Sequence, residues 1–117
     1  MRIQQRMVGD VVIIDLNGNL RLGDGDELLR DMVNRLIQQG QNRLVLNLAD
    51  VSYMDSAGLG QIVRSYTTAL NHGGALKLLR PTQRVRDLFI VTKLWNIFEV
   101  FESEEDAVRS FPPSAGV

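Results

Sequence analysis

The residues best suited to chemistry form one hexapeptide, which runs from Asp55 to Gly60 and reads Asp-Ser-Ala-Gly-Leu-Gly. A serine hydroxyl beside a carboxylate can cap a helix, attack an electrophile or accept a phosphoryl group. The hexapeptide follows a nearly continuous apolar run, Arg43 to Leu48, and precedes apolar residues repeated at helical spacing from Leu59 to Leu70. We therefore expect it between a buried parallel strand and a helix, at the strand end where open α/β sheets expose their functional loops.

Capping alone would explain this spacing, since a serine or aspartate before a helix accepts hydrogen bonds from the free N–H groups of the first turn. The two glycines, Gly58 and Gly60, would let helix and strand pack closely and would leave that turn bare. The same N–H groups favour an added anion, so a phosphate on Ser56 would be tolerated there. The functional question is therefore what Ser56 does besides capping.

A nucleophilic Ser56 would need a base, and the chain has a single histidine, His72. This histidine lies in a glycine-rich loop at the opposite end of the predicted helix. Because a helix rises about 1.5 Å per residue, its whole length would separate His72 from Ser56. A Ser-His-Asp triad is disfavoured, and an exposed loop histidine is the simpler interpretation. We expect no catalytic residue and predict that the protein is not an enzyme.

Metal and cofactor sites are equally unsupported by the sequence. The chain has no cysteine, so carboxylates and one histidine are the available ligands. The carboxylates do not follow the spacing of a calcium loop, and capping or solvation explains them better: Asp24, Asp26, Glu27, Asp50 and Asp55. The glycines of the hexapeptide are too few for a dinucleotide fingerprint. We expect no metal and no cofactor, and a weak nucleotide site at the helix N-terminus stays open as an alternative.

Composition indicates one soluble domain. The chain has 117 residues, of which 44% are hydrophobic, and a formal net charge of -1. The absence of a basic stripe argues against direct binding of nucleic acid. No apolar run approaches the ~20 residues of a membrane span, and the N-terminus lacks a signal-peptide core. We expect a cytoplasmic protein with a single domain over residues 1–111 and a disordered tail over residues 112–117.

The apolar pattern predicts the element order β-β-α-β-α-β-α-β-α. The strands are expected over residues 3–8, 11–16, 43–48, 75–79 and 97–101, with the first two joined as a hairpin. A strand, helix, strand order implies crossover connections and a buried parallel strand.

Local side chains predict where the helices begin and which residues are buried. The expected N-caps are Asp24 or Asp26 for the first helix, Thr82 for the third and Ser103 for the last. The segment from 19 to 25 is predicted to be a loop whose bulky core candidates are Leu20 and Leu22, and Ile90 is expected to face inward.

The fourteen residues from Asn47 to Gly60 resemble the signature of STAS domains, specifically that of the bacterial anti-sigma factor antagonists. The likeness runs nearly end to end. It includes Leu16-Asn17-Gly18 at the close of the hairpin, Gly73-Gly74 before a strand, and the segment from Thr92 to Val100.

This resemblance implies an α/β fold with a mixed sheet of four to five strands and about four helices packed mainly on one side. It also implies a phosphorylation site at Ser56, modified by a partner that is both serine kinase and anti-sigma factor. A metal-dependent serine phosphatase reverses the modification, and the unphosphorylated antagonist is the form that binds the anti-sigma factor. Two positions depart from the family pattern: Ala57 replaces a second Ser or Thr of many phosphorylated members, and Asn47 replaces a common Asp.

The partner-binding surface is expected around the hexapeptide, the helix that follows it and the loop from Asn19 to Asp24. Its predicted residues are Asp24, Asp55, Ser56, Ala57, Gly58, Leu59 and Gly60. We expect a monomer or a weak dimer that supplies an acceptor hydroxyl, with the chemistry in the partner. The alternative that stays open is a non-phosphorylated STAS module in a stress-signalling or lipid-transport complex.

Overall fold

A computed structural model of residues 1–112 shows a five-stranded sheet with the strand order β1-β2-β3-β4-β5. The strands are β1 (Arg2–Val8), β2 (Val11–Leu20), β3 (Arg43–Met54), β4 (Ala75–Leu79) and β5 (Val100–Phe101). The first two form an antiparallel hairpin around Gly9, whose φ of 62° suits a tight turn. The remaining neighbours pair in parallel because a helical connection separates each from the next. The predicted mixed sheet is confirmed.

Four α-helices lie within residues 1–112: α1 (Asp26–Gln38), α2 (Ser56–Asn71), α3 (Gln83–Val91) and α4 (Glu104–Arg109). The first three bury their apolar stripes against one face of the sheet, where Val12, Leu44 and Leu76 belong to the main core. The short α4 covers the other face above Ile13 and Val45. The prediction that the helices pack mainly on one side is therefore confirmed.

The two strands that lead to the hexapeptide are longer than the sequence predicted. The expected ends at Leu16 and Leu48 are wrong, since β2 runs to Leu20 and β3 to Met54. Their parallel pairing continues through two register shifts, one on each side of Asn17-Gly18. A bulge keeps strands paired past an irregular residue, so a polar Asn-Gly pair is not a strand end here. As a result, β3 delivers the chain directly to Asp55.

The predicted caps of α3 and α4 are confirmed. Thr82 Oγ1 accepts a hydrogen bond from the N–H of Val85, and Ser103 Oγ accepts one from the N–H of Asp106, each at 3.3 Å. These caps depend on a side chain and the backbone three residues later, which is a local relation that the sequence displays.

The predicted cap of α1 by Asp24 or Asp26 is wrong. The N-cap is Gly25, whose φ of 96° favours glycine, and no side chain caps this helix. Asp26 is already helical, and its Oδ1 accepts from the N–H groups of Gly23 and Glu27 at 3.0 and 2.9 Å. The carboxylate of Asp24 is held elsewhere, by the Met1 amine.

Two expectations for the C-terminal part are wrong. Ile90 is 50% exposed, so its predicted burial is wrong; the buried stripe of α3 consists of Val85 and Phe89. The last strand is shorter than predicted, because a 3₁₀ turn occupies Trp95–Ile97. Residues 113–117 of the predicted tail lie outside the described residues, and no helix within residues 1–112 is long and apolar enough to cross a membrane.

Candidate functional site

Asp55 joins the two chain segments that border the hexapeptide. Its backbone is extended, and its Oδ1 accepts a hydrogen bond from the N–H of Gly58 at 2.9 Å, which caps α2. Its Oδ2 accepts from the N–H of Leu22 at 3.1 Å, in the loop between β2 and α1. One carboxylate thus fixes the loop of residues 21–25 to the first turn of α2.

The Asp55 carboxyl is held in its charged form. Burial disfavours the charge, but hydrogen bonds from the backbone N–H groups of Gly58, Leu22 and Ala57 outweigh burial and lower the pKa of this carboxyl below its usual value. A fixed negative charge therefore stands directly before the serine.

Ser56 is the first residue of α2 and is exposed. The next residue, Ala57, is half-buried, whereas Gly58 and Leu59 are buried and seat the first turn on the core. His72 is the C-cap of this 16-residue helix, so it lies at the opposite end from Ser56. Because an α-helix rises about 1.5 Å per residue, the full length of the helix separates the two side chains. The structure separates these two residues as the sequence predicted.

Gly58 lies where α2 touches β2. A Cβ added at this position would lie 2.1 Å from the carbonyl oxygen of Leu20 and 2.8 Å from its carbonyl carbon. Such a contact with backbone cannot be relieved by rotating a side chain, so residue 58 must be glycine for helix and strand to sit this close.

Gly60 differs from Gly58. The nearest atoms to a Cβ added there belong to the Arg64 side chain, the closest at 3.4 Å. The predicted role of glycine in close packing therefore applies to Gly58, whereas Gly60 has the Arg64 side chain as its nearest neighbour.

Two exposed apolar side chains beside the hexapeptide were not among the predicted site residues. Leu22, predicted to be in the core, is 76% exposed, although its own N–H is bonded to Asp55. Tyr53, near the end of β3, is also exposed, with the Arg84 guanidinium 5.0 Å from its ring centroid. Large exposed apolar groups around a reachable hydroxyl are typical of a protein-binding surface. The one sequence signal for Leu22 is its isolation in a polar loop, without a partner at strand or helix spacing.

Asp24, a predicted partner-binding residue, lies in the same loop as Leu22. Its Oδ1 accepts from the Met1 amine at 2.8 Å, and its Oδ2 is 3.6 Å from Arg21 Nε. The backbones of Arg21 and Asp24 also exchange two hydrogen bonds of 2.9 Å. Asp24 therefore shapes the loop that presents Leu22, and a direct contact with a partner stays a prediction.

Asn47 belongs to a polar network on the α4 face of the sheet. Its Nδ2 donates to Asp15 Oδ1 at 2.8 Å, and Arg6 bridges Asp15 and Glu104. Burial acts to raise the pKa of Asp15, but the hydrogen bonds from Arg6 and Asn47 lower it below the usual value. An aspartate at position 47 would set two carboxylates against each other, so the amide suits this chain.

The carboxylates that the sequence offered as metal ligands do not converge on one site. Among residues 1–112, His, Asp and Glu form no group of three or more that could hold a metal ion. Asp24, Asp26 and Asp55 instead accept hydrogen bonds from the chain's own N–H or amine groups.

Comparison with known proteins extends these findings. The family described as "STAS domain" matches residues 2–107. The chain is 38% identical over 82 residues to the anti-sigma-B factor antagonist of Bacillus subtilis, an alignment that covers 70% of this chain and 74% of the relative. It is 28% identical over 109 residues to the anti-sigma F factor antagonist of Paenibacillus polymyxa, with 92% of each chain covered.

The anti-sigma factor antagonist SpoIIAA has a similar solved structure. Its unphosphorylated form is 25% identical with a TM-score of 0.78, covering 92% of this chain and 93% of the other. The phosphorylated form, from Bacillus, is 27% identical with a TM-score of 0.74, covering 92% and 97%. The chain belongs to the STAS domain family, among the anti-sigma factor antagonists.

Proposed function

We propose that this chain binds an anti-sigma factor while Ser56 is unphosphorylated and releases it when Ser56 carries a phosphate. The anti-sigma factor acts as the serine kinase, and a serine phosphatase restores the binding form. The observation that carries the proposal is the exposed hydroxyl of Ser56 at the first position of α2, between the fixed Asp55 carboxylate and the buried Gly58. That one relative has been solved in a phosphorylated form supports it.

The binding surface consists of Ser56 with the exposed side chains of Leu22 and Tyr53. The hydrogen bonds of Asp55 hold the Leu22 loop against α2, so this surface is fixed before the partner arrives. A preorganised surface loses little conformational entropy on binding, which favours affinity.

Phosphorylation acts through charge and hydration. A phosphoserine adds about −1.5 to −2 charges, and here that charge stands next to the ionised Asp55. Covering the phosphate with a partner surface requires its desolvation, and a loss of ~2.8 kcal/mol weakens binding about a hundredfold. Because Ser56 is exposed and its neighbours are held by Asp55, this switch needs no change of fold.

The acceptor is tested by incubating the chain with an anti-sigma factor kinase from the same organism and ATP, followed by intact-mass measurement. We expect one phosphate on the wild-type chain and none on Ser56→Ala. Ser52→Ala is the matched control, since Ser52 is a second exposed serine near the end of β3, and it should be phosphorylated like wild type. Phosphate on Ser56→Ala would show that the acceptor is another residue.

The switch is tested by titrating the same anti-sigma factor with three unphosphorylated chains in a calorimeter. Wild type and Ser56→Ala should bind with similar affinity, and Ser56→Asp should bind more weakly. Equal affinity for all three would contradict the charge mechanism. Binding without phosphorylation under any condition would favour an unmodified interaction module instead.

A further inference from the structure

Two buried polar side chains on α2 set the position of one surface arginine. Gln61 and Ser65 are 5% and 1% exposed, and Gln61 Nε2 donates a hydrogen bond to Ser65 Oγ at 3.2 Å. A buried amide is costly unless it is hydrogen-bonded, so this pair is constrained in its orientation. The remaining amide oxygen, Gln61 Oε1, accepts from Arg64 Nε at 3.4 Å and from Nη2 at 3.3 Å. The buried side of the helix therefore orients the guanidinium of Arg64.

This guanidinium lies over Gly60, one helical turn after Ser56. A Cβ added at Gly60 would be 3.4 Å from Arg64 Nη1 and 3.9 Å from Cζ. Side chains on an α-helix lean toward its N-terminus, which explains why Arg64 covers the turn before its own. Ser56 and Gly60 are four residues apart and share a helix face, where such positions are about 5–6 Å apart. Residue 60, being glycine, places no side chain of its own between Arg64 and Ser56.

The Arg64 guanidinium is not paired with a carboxylate among the described residues. The ion pairs formed within residues 1–112 do not include it, whereas Arg30 and Arg86 each contact a carboxylate. Its hydrogen bonds to Gln61 are long and made to a neutral oxygen, so they compete weakly with a dianion. A guanidinium can give two parallel hydrogen bonds to a phosphate.

We propose that Arg64 is the residue of this chain that binds the phosphate on Ser56, with Gln61 and Ser65 as positioning residues. The inference rests on the proposed function, since it concerns the phosphorylated form of the same serine. Arg64 offsets the repulsion that the fixed Asp55 carboxylate exerts on the phosphate. The pair forms after phosphorylation by a small movement of the arginine through the space that Gly60 leaves.

The test uses full-length chain with phosphoserine genetically encoded at position 56, so that no kinase is needed. Phosphorus NMR then gives the second pKa of the phosphate as a function of pH. A nearby cation favours the dianion, so the wild-type pKa should lie about half a unit below that of Arg64→Gln. Arg64→Lys should retain part of this shift, and Gln61→Leu should lose part of it because the arginine is no longer oriented.

Arg30→Gln is the matched control, since it removes the same charge from an exposed position on α1. Its phosphate pKa should equal that of wild type. Equal values for wild type and Arg64→Gln would overturn the inference, and so would an equal rise in Arg30→Gln, which would reflect net charge alone. The proposed function is contradicted by a different result, namely that the kinase does not phosphorylate the wild-type chain.

Discussion

Gly58→Ala tests the contact that holds the site together, namely the approach of α2 to the end of β2. The new methyl group would lie 2.1 Å from the Leu20 carbonyl oxygen, and real contacts of this kind do not fall below 3.0 Å. Helix and strand must therefore move apart by roughly 1 Å, which is a large shift inside a close-packed core. The same movement would disturb the Asp55 cap and the loop that it holds.

The size of the effect follows from two opposed contributions. Forcing an extra carbon into a packed site costs about 1–3 kcal/mol. Alanine in place of glycine in a helix gains up to ~1 kcal/mol. Because the clash is with backbone, the cost should reach the upper end of this range, and we therefore expect Gly58→Ala to lower the free energy of unfolding by about 2 kcal/mol.

Gly60→Ala is the matched control, because it makes the same substitution two residues later in the same helix. The nearest neighbour of its methyl group is the end of the flexible Arg64 side chain, at 3.4 Å. The helix gain then acts unopposed, so this variant should be as stable as wild type or more stable by up to ~1 kcal/mol.

Urea unfolding followed by circular dichroism measures both variants. A loss of about 2 kcal/mol moves the midpoint down by roughly 1 M urea, since slopes for small domains are about 1–3 kcal/mol/M. The two alanine variants should differ by about 3 kcal/mol. If Gly58→Ala and Gly60→Ala unfold at the same midpoint, the close approach of helix and strand is not what requires glycine at 58.

Three further predictions concern the loop, the cap and the α4 face. Leu22→Ala should weaken anti-sigma factor binding in calorimetry but leave the free energy of unfolding within ~0.5 kcal/mol of wild type, because the side chain is 76% exposed; a drop in stability instead would place it in the core. The Asp55 carboxyl has a folded-state pKa below its ordinary 3.8, so its charge stabilises the fold above that pH, and this contribution is lost as the pH falls through the folded pKa. Asp55→Asn can still cap α2 without titrating, so its melting temperature should fall less than that of wild type below about pH 4, and parallel curves would contradict this. Asn47→Asp puts a second carboxylate beside Asp15, whose Oδ1 is 2.8 Å from the present amide nitrogen. The repulsion should lower the free energy of unfolding by about 1 kcal/mol at pH 7, and this loss should disappear at acidic pH as the carboxylates become protonated. An unfolding free energy that differs from that of wild type by the same amount at neutral and acidic pH would count against the network.

The sequence predicted the features that depend on local relations. The Asp55 cap of α2 and the Thr82 cap of α3 each involve residues within one turn of each other. The parallel strand order followed from apolar runs alternating with helical patterns.

The features that the sequence did not predict depend on contacts between distant segments. β2 continues past Asn17-Gly18 because β3 supplies hydrogen-bond partners, and no local pattern displays that pairing. The exposed Leu22 lies in a loop whose backbone is held by Asp55, 33 residues away in sequence. In the site, the sequence indicated the hydroxyl, the capping carboxylate and the loop from Asn19 to Asp24, but not the exposure of Leu22 and Tyr53.

The way Asp55 is used limits how the site can respond to phosphate. Its two carboxylate oxygens accept hydrogen bonds from two different segments, the loop at Leu22 and the first turn of α2. Gly58 packs that turn closely against the backbone of Leu20. The backbone around Ser56 is therefore fixed by the loop and by β2. A phosphate at this position cannot be accommodated by rearranging the turn without losing those contacts. Surface side chains can move at lower cost, and the exposed arginine at position 64 is such a side chain. We therefore infer that phosphorylation changes what the partner meets at the surface, while the strand, the cap and the helix stay in place.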